Sequence, residues 1–182
     1  STSHGSYLLN PDTTIGIPST DAGTCNDRTD MLNADTIVFY ASNPAWSAPG
    51  TPSYHYLRAK EAGVKFITVD PIYTASAQML DAYWIPIRTG TDTAFMLGVA
   101  SEMLRLDKEE GDVIDWDFLD KYTVGFDADH KPDDLKEDVN FRDYVEGVYD
   151  GQPKTAEWAS NICGIPVEQI TYFAREIGKT RN

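Results

Sequence analysis

Apolar residues fall into two rhythms along this chain. Thr36-Ile37-Val38-Phe39-Tyr40 and Lys65-Phe66-Ile67-Thr68-Val69 are short runs of β-branched and aromatic residues, which suits buried strands. Between them a helix is expected from about Ser53 to Ala62, stopping at Gly63. Strand, helix and strand fit a single right-handed crossover, so the two strands should be parallel neighbours. Trp84-Ile85-Pro86-Ile87 reads as a third, short strand. Pro86 has no N–H to give a ladder, which makes that strand edge-like or terminal.

The second rhythm is helical. Met96, Val99, Ala100, Met103 and Leu104 repeat at helical spacing, predicting a helix from Asp92 to about Leu106 with Thr91 as its cap. A short helix is expected near 115–122, and another is suggested by Phe141, Tyr144, Val145 and Val148. Thr155 to about Cys163 reads as helix ending at Gly164. A last helix starts at Pro166, repeats Val167, Ile170, Phe173, Ala174 and Ile177, and stops at Gly178. Residues 1–33 are polar and turn-rich, a long loop-like entry segment. The expected fold class is α/β: three α/β/α layers around a mainly parallel, Rossmann-like sheet, with a helical acidic annex over 107–150. All 182 residues are expected to form one domain.

Charge narrows the partners. The formal net charge is −14, which argues against nucleic acid, because phosphate binding needs a basic face. From Asp107 to Asp138 there are 13 Asp or Glu against 4 Lys, read first as a solvated surface. Cys25 and Cys163 form no metal-ligand spacing, and His4, His55 and His130 are far apart, so no metal site is expected. No apolar run approaches the roughly 18 residues of a membrane helix, and no signal peptide is visible. The first residue is Ser1 rather than Met, and the chain is expected to be a processed or excised piece.

In an open parallel sheet, ligands bind beyond the carboxyl ends of the strands. Three segments fall there: Tyr40 to Pro44, Asp70 to Thr74, and Arg88 to Asp92. Ser42 and Asn43 offer short hydrogen-bonding side chains and a turn whose N–H groups suit phosphate, but Asn43-Pro44 is equally a plain turn. Asp70, before Pro71, can accept from ribose hydroxyls or a guanine edge, or can serve as a turn residue. Gly90, Thr91 and Asp92 precede a helix, whose N-terminus suits an anion. Arg88 can meet phosphate or pair with Asp92. Neither a G-x-G-x-x-G fingerprint nor a P-loop is present, and no nucleophile has a base beside it. A stand-alone nucleotide-binding domain and a non-catalytic partner-binding module are the competing readings.

The same three segments carry a resemblance. Ala34 to Pro44, Phe66 to Thr74 and Trp84 to Asp92 resemble the strands and turns of molybdopterin oxidoreductases, in particular the catalytic subunit of dimethyl sulfoxide reductases. The likeness continues through Phe118-Leu119-Asp120-Lys121-Tyr122, Val124-Gly125-Phe126-Asp127, Thr155 to Ile165 and Ala174 to Gly178. It implies a large subunit holding molybdenum through two molybdopterin guanine dinucleotides, and reducing S-oxide or N-oxide substrates by two electrons. This chain would be one interior α/β domain holding one dinucleotide. Ser42 and Asn43 would face its phosphate or pterin, and Asp70, Pro71, Gly90, Thr91 and Asp92 its guanosine side; Thr74 and Arg88 are further candidate cofactor-binding residues. No catalytic residue and no metal ligand would lie in this segment. The implied partners are the rest of the subunit, an iron–sulfur electron-transfer subunit and a membrane anchor, with an iron–sulfur cluster elsewhere in the parent and export in folded form. Two departures stand out: the family often has glycine where Ala41 sits and arginine where Ile72 sits.

Overall fold

The computed structural model describes residues 28–47, 52–132 and 139–178, and the statements below concern those residues. Strands form at the three apolar runs: β1, Thr36–Tyr40; β2, Lys65–Val69; and β3, Tyr83–Ile85. They make one sheet in the order β1-β2-β3, with both pairings parallel. Tyr40 lies beside Val69 and Val69 beside Ile85, so all three strands end at one rim. β3 begins a residue earlier than expected and stops at Ile85, because Pro86 cannot extend the ladder. Ile87 is nonetheless buried.

Parallel neighbours require crossovers. A single turn, α1 (Pro44–Ser47), and then α2 (Pro52–Glu61) connect β1 to β2. The second crossover is α3 (Ala75–Leu80), a helix too short to announce itself by periodicity. It exists because Thr74 caps it, its Oγ1 accepting from Ala77 N at 3.1 Å, and because Asp81 ends it in the left-handed region at φ 55°. A 3-10 helix at Arg28–Asn33 occupies the end of the expected entry loop. The rest of that loop, with Cys25, lies outside the described residues.

Strand alternation divides the core in two. Phe39 and Phe66 point to one side, where they meet Ala59 of α2 and Ala77 and Leu80 of α3. Ile67, Val69 and Ile85 point to the other, against α4 (Asp92–Glu110), α7 (Ala156–Cys163) and α8 (Val167–Gly178). Helices and a parallel sheet therefore share the core, the expected α/β class. Phe95 of α4 sits 5.3 Å from Phe173 of α8, ring to ring. Gly98 lets α4 and α7 close together: a methyl group there would collide with the Ala159 side chain.

α4 runs a turn beyond its expected end. Arg105 bonds Glu102 at 2.6 Å and Glu109 at 2.5 Å, and Arg175 of α8 bonds Glu110, so the last turn is held by charge pairs. Within the acidic stretch the described residues form α5 (Trp116–Tyr122) and α6 (Phe141–Glu146), and several of their acids are used locally. Asp107 accepts from Val113 N, Ile114 N and Trp116 Nε1, and Asp115 caps α5. His130 lies between Asp127, 2.6 Å from Nδ1, and Asp120, 2.9 Å from Nε2. Both carboxylates favour the imidazolium, so the His130 pKa is raised, first by its hydrogen bond to Asp127, and that of Asp127 is lowered. Lys154 is buried, with its ammonium bonded to Asp150 at 2.6 Å and lying over the Tyr144 ring. No helix among the described residues is long and apolar enough to cross a membrane.

Candidate functional site

At the end of β1, Ala41 N still donates to Val69 O at 3.0 Å, and the chain then turns sharply. Ala41 makes that turn at φ 48°, a left-handed conformation that costs an L-residue about 1 kcal/mol or more. Ser42 is exposed. Asn43 starts α1, its carbonyl accepting from Trp46 N and Ser47 N at 3.0 Å each. Its side-chain Oδ1 accepts from Ser76 N at 3.2 Å and Ser76 Oγ at 2.7 Å, and Ser76 Oγ accepts from Ala45 N at 2.9 Å. The Asn43 oxygen is therefore committed to holding the first loop against α3. Its amide nitrogen has no partner among the described residues.

The second loop is fixed through Asp70. Its N–H donates to Ile85 O at 3.2 Å and its carbonyl accepts from Trp84 Nε1 at 2.8 Å. Carboxylate Oδ1 accepts from Ile72 N at 3.0 Å, closing an Asx turn. Asp70 is only 8% exposed, yet its second oxygen has no partner among the described residues. Pro71, Ile72 and Tyr73 stand exposed above it. Thr74 is 4% exposed, and its hydroxyl oxygen is used in the α3 cap.

The third loop holds two departures from expectation. Thr91 occupies the cap position of α4, but its hydroxyl donates back to Arg88 O at 2.7 Å and caps nothing. Side chains cap α3, α5, α6 and α7; the longer α4 starts with its first N–H groups uncapped. Arg88 makes no ion pair with Asp92 among the described residues. Its Nη1 donates to Asn161 O and Ile162 O at 3.3 and 3.2 Å, and its N–H to Cys163 O at 2.9 Å. A cation at those carbonyls suits the negative end of α7. Gly90, at φ 80°, has nothing within 4 Å of where a Cβ would stand. Asp92 is exposed in the first turn of α4.

These loops share the rim. Phe95, in the first turn of α4, packs on Tyr40 at the end of β1, with ring centroids 6.3 Å apart. The Tyr40 phenol is pushed well above its ordinary range, by burial first and then by the nearby Asp92 and Cys163. Asn43, Asp70 and the start of α4 thus gather beyond the carboxyl ends of one parallel sheet. Ser76 escaped the sequence reading because its role depends on a partner 33 positions away. Trp46, 82% exposed beside Asn43, adds an aromatic surface that the turn motif did not advertise.

Among the described residues no group of three His, Cys, Asp or Glu can hold a metal ion. The arrangement offers uncapped backbone N–H groups, an open glycine, and carboxylate and carboxamide atoms to spare. Groups of these kinds suit anions and donor-rich rings; among the described residues of the rim no nucleophile and base are in hydrogen-bond contact.

Comparison with known proteins gives the family. Residues 2–114 match the family model described as molybdopterin oxidoreductase. A trimethylamine-N-oxide reductase of Haemophilus influenzae is 36% identical over 158 residues, covering 83% of this chain and 17% of that protein. A dimethyl sulfoxide reductase of the same organism is 38% identical over 160 residues, covering 86% of this chain and 19% of that protein. A biotin sulfoxide reductase of Cereibacter sphaeroides is 37% identical, covering 80% and 18% respectively. Among solved structures, acetylene hydratase from Pelobacter acetylenicus shares the fold, with a TM-score of 0.54 at 22% identity over 78% of this chain and 16% of that one. The chain spans less than a fifth of each of these relatives.

A three-stranded parallel sheet with helices packed against it places the described residues in the α/β class. The chain belongs to the molybdopterin oxidoreductase family.

Proposed function

We propose that this chain is an interior domain, of three-layer Rossmann-like architecture, from the catalytic subunit of a dimethyl sulfoxide reductase-like enzyme. Its work is to hold one molybdopterin guanine dinucleotide of a bis-dinucleotide molybdenum cofactor. The residues present suit that group. The uncapped start of α4, with Gly90 open beside it, accepts a phosphate. The second oxygen of Asp70 suits the donor edge of guanine, and Ser42 and the Asn43 amide nitrogen suit phosphate or pterin acceptors. Asp92, close to Tyr40, is better placed to accept than to meet an anion. Arg88 and Thr74 act through α7 and α3, by keeping the loops in place.

When bound, the cofactor supplies two-electron redox chemistry; this chain binds and orients it and contributes no catalytic side chain. The printed activities of the relatives favour an S-oxide or N-oxide substrate for the parent protein. The rest of that subunit, with an iron–sulfur cluster, an iron–sulfur electron-transfer subunit and a membrane anchor, would complete the system outside the inner membrane. The acidic stretch over 107–150 is a surface annex of the domain.

The observation that carries this reading is the meeting of Asn43, Asp70 and the uncapped start of α4 at one sheet rim. The test is Asp70→Ala in the full-length subunit, with molybdenum measured by mass spectrometry and guanine nucleotide released by acid hydrolysis. Both should fall together, by roughly tenfold, in line with about 1–3 kcal/mol for unmatched polar partners. Unchanged molybdenum and guanine content would overturn it.

A further inference from the structure

A donor and an acceptor at the rim are both left without a partner. The Tyr40 hydroxyl is shielded from solvent and makes no hydrogen bond among the described residues. Asp92 is exposed, and its carboxylate makes none among them either. A buried hydroxyl that has given up water without gaining a partner destabilises the state in which it occurs, so such a donor in a folded protein calls for a reason.

Position brings the two groups together. Tyr40 ends β1 and pairs with Val69, so its side chain points to the α4 side of the sheet. Its ring lies against Phe95, with centroids 6.3 Å apart. Asp92 stands three residues before Phe95, the spacing of neighbours on a helix surface. Burial first, and then the Asp92 charge, raises the Tyr40 pKa, which keeps the hydroxyl a donor at neutral pH. Cys163, the other group acting on the phenol, is a buried thiol and a weak acceptor.

The chemistry of the rim supplies the reason. α4 begins with uncapped N–H groups, and a carboxylate in the same first turn repels an anion brought to them. A donor reaching from inside the fold draws the Asp92 charge toward the sheet and leaves the second carboxylate oxygen for the donors of a base.

We infer that Tyr40 is a positioning residue of the rim: with the nucleotide held, Asp92 turns inward, one of its oxygens accepts the Tyr40 hydroxyl, and the other faces the donor edge of guanine. This rests on the reading of the rim as a guanine dinucleotide site.

The test uses the full-length subunit, prepared with and without cofactor. Tyr40→Phe removes the hydroxyl alone. The cofactor-free variant should melt no lower than the parent, because the hydroxyl has no bond to lose there. From the loaded variant, guanine nucleotide should leave about tenfold faster in mild urea, the size of one hydrogen bond to a charged group. Asp92→Ala should also speed release, and adding Tyr40→Phe to it should change the rate by less than about twofold, since Tyr40 acts through Asp92. A lower melting temperature for cofactor-free Tyr40→Phe overturns the inference, because the hydroxyl is then a structural partner of another segment. Unchanged release from Tyr40→Phe, or effects that simply multiply in the double variant, overturn it too. Asp70→Ala separates the two proposals. If it lowers guanine and molybdenum content while Tyr40→Phe leaves release unchanged, this inference alone falls. If it changes neither content, the proposed function falls, and this inference with it.

Discussion

The side-chain oxygen of Asn43 accepts both the N–H and the hydroxyl of Ser76, at 3.2 and 2.7 Å, and so ties the loop after β1 to the helix after β2. Ser76 also takes the N–H of Ala45 and is fully buried. Ser76→Ala leaves Ala45 N without its acceptor and removes one of two bonds to Asn43. The expected loss is about 1–2 kcal/mol in urea unfolding of the chain. In the full-length subunit, cofactor content should fall as well. A variant as stable as the parent would show that the link is incidental.

Ala41 occupies a conformation that glycine adopts freely. Ala41→Gly should therefore raise stability by a few tenths to about 1 kcal/mol, the relieved strain exceeding the entropy that glycine adds to the unfolded chain. Ala41→Val should do the reverse. Paired thermal melts check the sign, and a lower melting temperature for the glycine variant contradicts the assignment of strain.

The contact of α4 with α7 depends on Gly98 and Ala159 together. Gly98→Ala should cost about 1–3 kcal/mol through overpacking. Adding Ala159→Gly should restore most of it, because the second change vacates the space that the first fills. A double-mutant cycle without this coupling would mean that the helices simply move apart.

His130 gives the acidic stretch a pH dependence. Its folded pKa is raised above 6.5, so its contribution is fully present below that value and is lost as pH rises through the folded pKa. Asp127 is shifted the other way. Its contribution is present above its ordinary value of 3.8 and is lost as pH falls through its lower folded pKa. The clamp should be firmest in the acid range between the two. NMR titration of His130 should place its pKa above 6.5, and His130→Gln should remove the alkaline loosening of residues 120–130 seen by hydrogen exchange. A His130 pKa at or below 6.5 contradicts the clamp.

Much of the sheet was legible because β1 and β2 are concentrated apolar runs separated by a turn signal, and the rim follows from parallel topology once they are found. The parts that escaped depend on partners remote in sequence. Thr91 has the composition of a cap, yet its hydroxyl turns back to Arg88 O, a choice made by the loop and not by residue type. α3 offers too few residues for a periodic signal and owes its existence to Thr74 and Asp81. Ser76 looked like any small residue until Asn43 was placed beside it. The Ala41 departure was visible as an unusual residue, but its meaning as backbone strain required the φ angle.

Arg88 links the third loop of the sheet rim to the far end of α7, through the carbonyls of Asn161 and Ile162. Gly90 lies two residues along from that anchor. A substitution at Arg88 that empties the proposed cofactor site would therefore not identify a phosphate ligand: shifting the α7 terminus produces the same outcome at a distance. Only a variant that keeps α7 seated, as judged by the burial of Cys163 toward a thiol reagent, can tell a direct contact from a lost anchor.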